Sequence, residues 1–303
     1  MRQIAHFIMI ILCSSVCFAQ TDTNYATRAV SAVWMPDGRS LLIAVVKYHK
    51  TDNKSPYFSK VFNYDIASKQ TTSLFENGSN LAPSPDGKTI AFLKRDDNKR
   101  TGIYAFDLQT KKQNLLFSDT SGKNSLEWSP DGKNLVYNIS YNGIGQHSTI
   151  DICVLNIATK KVKQVTHSGN FKAYDPNWSP DSKKIAYYLE KGDGHDQIWL
   201  TDLNGSFHTN LTNDTTTHNY FPSWFDAKTV LYTRSPGTIM MMNTDGSNKR
   251  KVEGINNDQV KYNSKAGKFV YVNTETENTV ILFDWKTKQK TTVIDGTKMI
   301  EIF

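Results

Sequence analysis

An all-β fold is predicted by three observations. Short runs of Val, Ile, Tyr and Phe are bounded throughout by Gly, Pro, Asn and Asp, the pattern of strands and tight turns. An aromatic anchor, a turn of the Pro-Asp-Gly type and an apolar run recur, with anchors at 34, 83, 128, 178, 224 and 262. Inside each interval a second apolar run ends on Asp or Asn, then a short polar turn and one more strand follow. Several strands in each unit of ~40–50 residues is how propeller blades repeat. The sequence therefore predicts a six-bladed β-propeller with four antiparallel strands per blade.

The repeats fix the strands in order. WMPDGRSLLIAVV starts at Trp34, PSPDGKTIAFLKR at Pro83, WSPDGKNLVYNIS at Trp128 and WSPDSKKIAYYLE at Trp178. WFDAKTVLYTR at Trp224 lacks the proline, and YNSKAGKFVYVNT at Tyr262 keeps mainly the spacing from aromatic to apolar run. The second register point falls at Asp65, Asp107, Asn156, Asp202, Asn243 and Asp284. Strand A thus ends at the aromatic, the turn reverses the chain, and strands B, C and D follow. In that turn proline presets φ, aspartate caps with its side chain, and glycine takes the left-handed position. The anchoring aromatic offers a large apolar area to fill the wedge between blades. One such sheet cannot bury both faces alone, whereas a ring of them can. These residues are read as structural.

The remaining composition bounds the function. The chain has 303 residues, 38% hydrophobic and 21% charged, with mean hydropathy −0.50, an ordinary globular balance. Residues 1–19 differ: Arg2 precedes an apolar stretch from Phe7 to Phe18, and Cys17-Phe18-Ala19 ends it as a signal-peptidase site would. A signal peptide over 1–19 and a single propeller domain over 20–303 are expected, with an exported, periplasmic or secreted protein. No later apolar run reaches the ~20 residues of a transmembrane helix. Cleavage removes Cys13 and Cys17, so Cys153 stands alone and stability must come from packing. Cys153 falls in the strand-C position held by Tyr104 and Trp199 elsewhere, which reads as a buried small hydrophobe. The formal charge of +7 falls to +6 without Arg2, too mild to suggest a nucleic-acid partner. GxSxG, HExxH, Walker and paired CxxC motifs are missing from the sequence. GDGHDQ from Gly192 reads as a hairpin turn, lacking the further ligands of a calcium loop.

The frame WSPDGK…IAF…IY..DL…LT resembles the TolB family and its relatives with WD40-like (PD40) repeats, from about Arg28 to Ile294. The resemblance implies an envelope scaffold that binds partners. Similar blades occur in the propeller domains of prolyl-oligopeptidase-like hydrolases and in oligogalacturonate lyases, so it implies fold more than function. The repeats start soon after the expected cleavage site, without the N-terminal domain of TolB, and no hydrolase domain follows them.

Topology separates two faces. The A–B and C–D turns carry Lys88, Lys133, Lys183, Lys69, Lys111, Lys160 and Lys288, a cationic ring that either keeps the turns solvated or docks an acidic surface. The B–C and D–A loops carry His147, His167, His195 and His218, with Phe171, Tyr174, Asp175 and Tyr220. Binding residues concentrate on such loops, and these eight are the candidate contact residues. No cofactor is expected. The four histidines are the candidate ligands should a metal be held, since imidazole with carboxylate is ordinary metal chemistry. The leading expectation is a monomeric, non-enzymatic propeller that binds an envelope protein or glycan. The alternatives are a metal-assisted lyase or hydrolase on acidic saccharides, and a structural subunit with an apolar patch at Met240 to Met242.

Overall fold

The computed structural model describes residues 25–49, 58–96, 100–141, 149–192, 194–257, 259–273 and 279–294. The expected signal peptide over 1–19 lies outside them. Twenty-four strands follow one another in these residues. The first repeat gives β1 (Tyr25–Trp34), β2 (Ser40–His49), β3 (Phe58–Asp65) and β4 (Thr71–Glu76). The second gives β5 (Ser79–Pro83), β6 (Thr89–Arg95), β7 (Thr101–Asp107) and β8 (Gln113–Ser118). Then come β9 (Gly122–Trp128), β10 (Asn134–Tyr141), β11 (Thr149–Asn156) and β12 (Val162–Gln164), followed by β13 (Lys172–Trp178), β14 (Lys184–Glu190), β15 (Gln197–Asp202) and β16 (His208–Asn210). The last two repeats give β17 (Asn219–Asp226), β18 (Thr229–Arg234), β19 (Thr238–Asn243) and β20 (Arg250–Asn256), then β21 (Lys261–Asn263), β22 (Lys268–Asn273), β23 (Thr279–Asp284) and β24 (Lys290–Ile294).

The turns form as their residues dictate. Ser84 Oγ donates to Asp86 Oδ1 at 2.6 Å, the same carboxylate oxygen accepts Lys88 N–H at 3.1 Å, and Gly87 closes the turn at φ 70°. Ser129 with Asp131, and Ser179 with Asp181, repeat the first bond at 2.6 Å. At the other turn of each repeat the terminal Asp or Asn caps the chain. Asp107 Oδ1 accepts Thr110 N–H at 2.7 Å, and Asn156 Oδ1 accepts Thr159 N–H at 2.9 Å. Lys69, Lys111, Lys160 and Lys288 hold φ of 58–61° at these turns and are exposed, with the ammonium of Lys111 over Phe106 at 6.0 Å and that of Lys288 over Trp285 at 3.5 Å. That placement accounts for the cationic ring.

The architecture is an all-β propeller, but six separate blades are not what forms. Four four-stranded sheets stand apart, β1–β4, β5–β8, β17–β20 and β21–β24, while β9 to β16 make one eight-stranded sheet. The blade count of six is corrected accordingly. The cause is local: β12 has three residues and pairs only with Cys153 to Leu155 of β11. The start of β11 is left an open edge on that side, and Ile150 there pairs in parallel with Lys172 of β13.

The core lies between sheets. Leu42, Ala44 and Val61 of the first sheet pack on Leu81, Ile90 and Phe92 of the second, each full burial of such a side chain contributing ~1.5–3 kcal/mol. Val270, Val280 and Leu282 close the ring against Leu41, Ile43 and Phe62. Trp34 Nε1 donates to the carbonyl of Lys261 at 3.0 Å across that junction. Among the described residues packing closes the ring, with no strand exchanged between the first and last sheets. Met241 and Met242 are buried in this core rather than forming a surface patch, and Cys153 is buried too.

Candidate functional site

The loop between β14 and β15 supplies His195 and Asp196, and the segment before β17 supplies His218. The two imidazoles meet edge to face with centroids 4.7 Å apart. His218 Nδ1 lies 3.1 Å from Asp196 Oδ2 and 3.3 Å from the Asp196 backbone N–H. Burial raises the Asp196 carboxyl above its ordinary value, against the opposing pull of His218. His195 Nδ1 is buried without a hydrogen-bond partner.

An aromatic strip runs beside this cluster. Tyr174 of β13 stacks on Tyr188 of β14 at 5.2 Å. Tyr188 meets Phe221 of β17 at 5.9 Å, and Tyr220 packs on Phe221 at 4.9 Å. The strip therefore bridges the eight-stranded sheet and the next one. Such T-shaped and offset contacts stabilise by ~0.5–1.5 kcal/mol beyond burial, which makes the strip a stiff surface.

Asp175 turns the other way, into the axis. In β5, β9, β13 and β17 the register slips two residues before the anchoring aromatic or proline. The residue three before each anchor, Asn80, Ser125, Asp175 or Phe221, takes φ of 46–53°. A bulge of this kind re-aims a side chain, and here it directs residues towards an axial cavity of about 440 Å³. Asn80 Oδ1 accepts Ser125 N–H at 2.8 Å, and Ser125 Oγ donates to Asp175 Oδ1. One residue before the anchors stand Glu127, Asn177 and Lys261, which also line the cavity. Glu127 Oε2 accepts Trp178 N–H at 2.7 Å, and Lys261 Nζ donates to Asn177 Oδ1. Burial raises the carboxyl of Asp175, opposed by the Ser125 hydroxyl and Lys261. Burial raises that of Glu127 as well, opposed by Lys261 and the Trp178 N–H.

Of the eight sequence-predicted residues, His195 pairs with His218, and Tyr174 and Tyr220 both contact Tyr188, on which Asp196 and Asp175 act electrostatically. His167 stands apart, exposed and electrostatically coupled to His208 of β16. Phe171 also stands apart, under the ammonium of Lys191 at 5.8 Å. His147 lies outside the described residues. Among the described residues no group of three or more His, Cys, Asp and Glu side chains could hold a metal ion. Sequence reasoning missed Tyr188, Glu127, Asn177 and Lys261. The signal of the last three was positional, since the residue just before each anchor varies freely in type: Val33, Ala82, Glu127, Asn177, Ser223, Lys261.

The model of the family described as eukaryotic translation initiation factor eIF2A matches residues 23–190, more than half of the chain. The chain belongs to the WD40-like propeller family of eIF2A and TolB-like repeats. The eIF2A repeat is a different but related type. The Tol-Pal system protein TolB of Alcanivorax borkumensis is 32% identical over 111 residues, 36% of this chain and 25% of that protein. The chain therefore spans about a quarter of the length of this TolB relative. The crystal structure of TolB from Acinetobacter baumannii superposes with a TM-score of 0.64 at 14% identity, over 89% of this chain and 79% of that one. Oligogalacturonate lyase from Vibrio parahaemolyticus superposes with a TM-score of 0.62, also at 14% identity, over 92% and 83%. At such identities these WD40-like neighbours share the fold alone.

Proposed function

We propose that this TolB-like propeller is an exported, non-enzymatic scaffold that binds a protein or glycan partner in the cell envelope through its histidine- and aromatic-rich loop face. The carrying observation is that His195, Asp196 and His218 cluster, and that Asp196 also acts electrostatically on Tyr188, which Tyr174, Tyr220 and Phe221 surround across two sheets. Stiff aromatics that keep polar tips are the residues that concentrate contact energy at interfaces. The expected signal peptide supports export, and no helix among the described residues is long and apolar enough to cross a membrane. TolB relatives support a partner in the envelope.

The test is capture from an envelope extract by the full mature chain. Changing His195, His218 and Tyr220 to Ala together is expected to abolish capture, by well over tenfold for a set of central contacts. Changing His147, His167 and Phe171 to Ala measures the outer loops separately. Retention of every partner by the first variant sinks the reading. Turnover of oligogalacturonate with added manganese, lost in the same variant, would replace it with a lyase.

A further inference from the structure

The axial cavity carries a charge imbalance that its own residues leave unmet. Asp175 and Glu127 line it with one ammonium, Lys261, and no other charged side chain among the described residues. Lys261 Nζ donates to Asn177 Oδ1, and among the described residues its charge acts on Glu127 and Asp175 without a direct ion pair to either. Asp175 receives a side-chain hydrogen bond from Ser125 and Glu127 one from Trp178 N–H, while an ionised carboxylate offers about four acceptor sites. Several acceptor positions therefore face open space, in a cavity of about 440 Å³.

The walls narrow the chemistry. The acidic and histidine side chains are not gathered closely enough for a metal ion among the described residues, so a ligand bearing several N–H donors suits the separated oxygens better than a point charge. Leu126, Phe221, Pro222 and Val260 line the same cavity and suit an alkyl chain. The rings of Trp128 and Tyr262 stand beside them, and aromatic faces attract organic cations. We propose that the axial cavity is a binding site for an alkylammonium group, held between Asp175 and Glu127. The group is supplied either by a free diamine or by a lysine side chain. The inference concerns the cavity alone and holds whether or not the loop face docks a partner.

Calorimetric titration of the full mature chain at low salt tests it, with cadaverine as the diamine and N-acetyl-lysine methylamide as the lysine mimic. Saturable one-to-one binding of at least one probe is expected, and the tighter probe assigns the source. Glu127→Gln and Asp175→Asn should each weaken binding at least about tenfold, since each removes a charge facing the ammonium at low effective dielectric. Lys261→Met should tighten it, because it removes the competing cation. This last variant keeps the test decisive should a carboxylate variant fail to fold by circular dichroism. Absence of saturable binding of both probes to wild type and Lys261→Met overturns the proposal. So does weakening by Lys261→Met, or displacement of the probe by stoichiometric calcium. Loss of envelope capture with intact probe binding removes the loop-face reading and leaves this one standing.

Discussion

Replacing Trp224 by Phe separates the hydrogen-bonding role of an anchor aromatic from its packing role. Trp224 is buried, and its Nε1 donates to the carbonyl of Asn177 at 3.1 Å, pinning β17 to β13 across the junction of two sheets. Phenylalanine cannot donate, so that buried carbonyl loses its partner at a cost of ~1–3 kcal/mol. The smaller ring adds about 1 kcal/mol of lost contact. A destabilisation of ~2–4 kcal/mol is expected. Trp128 provides the control, because its Nε1 has no hydrogen-bond partner. Trp128→Phe loses about 1 kcal/mol of contact but also removes an unpartnered buried donor, so its net loss is expected to be below about 1 kcal/mol. Urea melts followed by far-ultraviolet circular dichroism, with unchanged m-values, measure both. Equal losses in the two variants would refute the reasoning, showing that the anchors act by ring area only.

Tyr137 is fully buried with its hydroxyl unpartnered, so Tyr137→Phe is expected to stabilise by about 1 kcal/mol in the same melts. A loss of stability there would mean that the hydroxyl has a partner. The raised carboxyls of Glu127 and Asp175 bind protons more tightly in the folded than in the unfolded chain. Their stabilisation is full below the ordinary carboxyl range of ~4 and is lost as pH rises through the raised folded values. Glu127→Gln should therefore melt higher than wild type at neutral pH, and the gain should vanish at acid pH. A gain that grows on acidification contradicts this. Burial pushes the Cys153 thiol up to about 12, so iodoacetamide at mild alkaline pH should label it only after denaturation. Rapid labelling of the native chain would place the thiol at the surface.

The repeat was legible because its residues act locally. Ser84, Asp86, Gly87 and Lys88 form their turn from one another, and the same bonds recur at Ser129 and at Ser179, where Ser182 takes the place of the glycine with φ 60°. The count of separate blades was not legible in that way. It turns on β12 being three residues long and on one pairing, Ile150 with Lys172, between segments whose sequences give no sign of meeting. The histidines divide on the same principle. His195 and His218 converge because their loops belong to neighbouring sheets, whereas His167 acts electrostatically on His208.

The cavity residues were hidden for a further reason. A regular strand alternates its side chains, so Asp175 and Asn177 would share one face and Pro176 the other, yet all three line the cavity. The bulge before each anchor breaks that alternation and spends a left-handed backbone on residues as unlike as Asn80, Ser125, Asp175 and Phe221. Non-glycine residues held there carry strain of order 1–3 kcal/mol each. A scaffold that needed only to close its ring could use glycine at those four positions without that strain. Side chains at the axis are what the strained backbone presents, and in β13 the same irregularity sets Tyr174 into the aromatic strip and Asp175 beside Ser125. In β13 one local distortion thus separates the aromatic strip, where the proposed partner would dock, from the axial cavity, where the proposed ammonium group would sit.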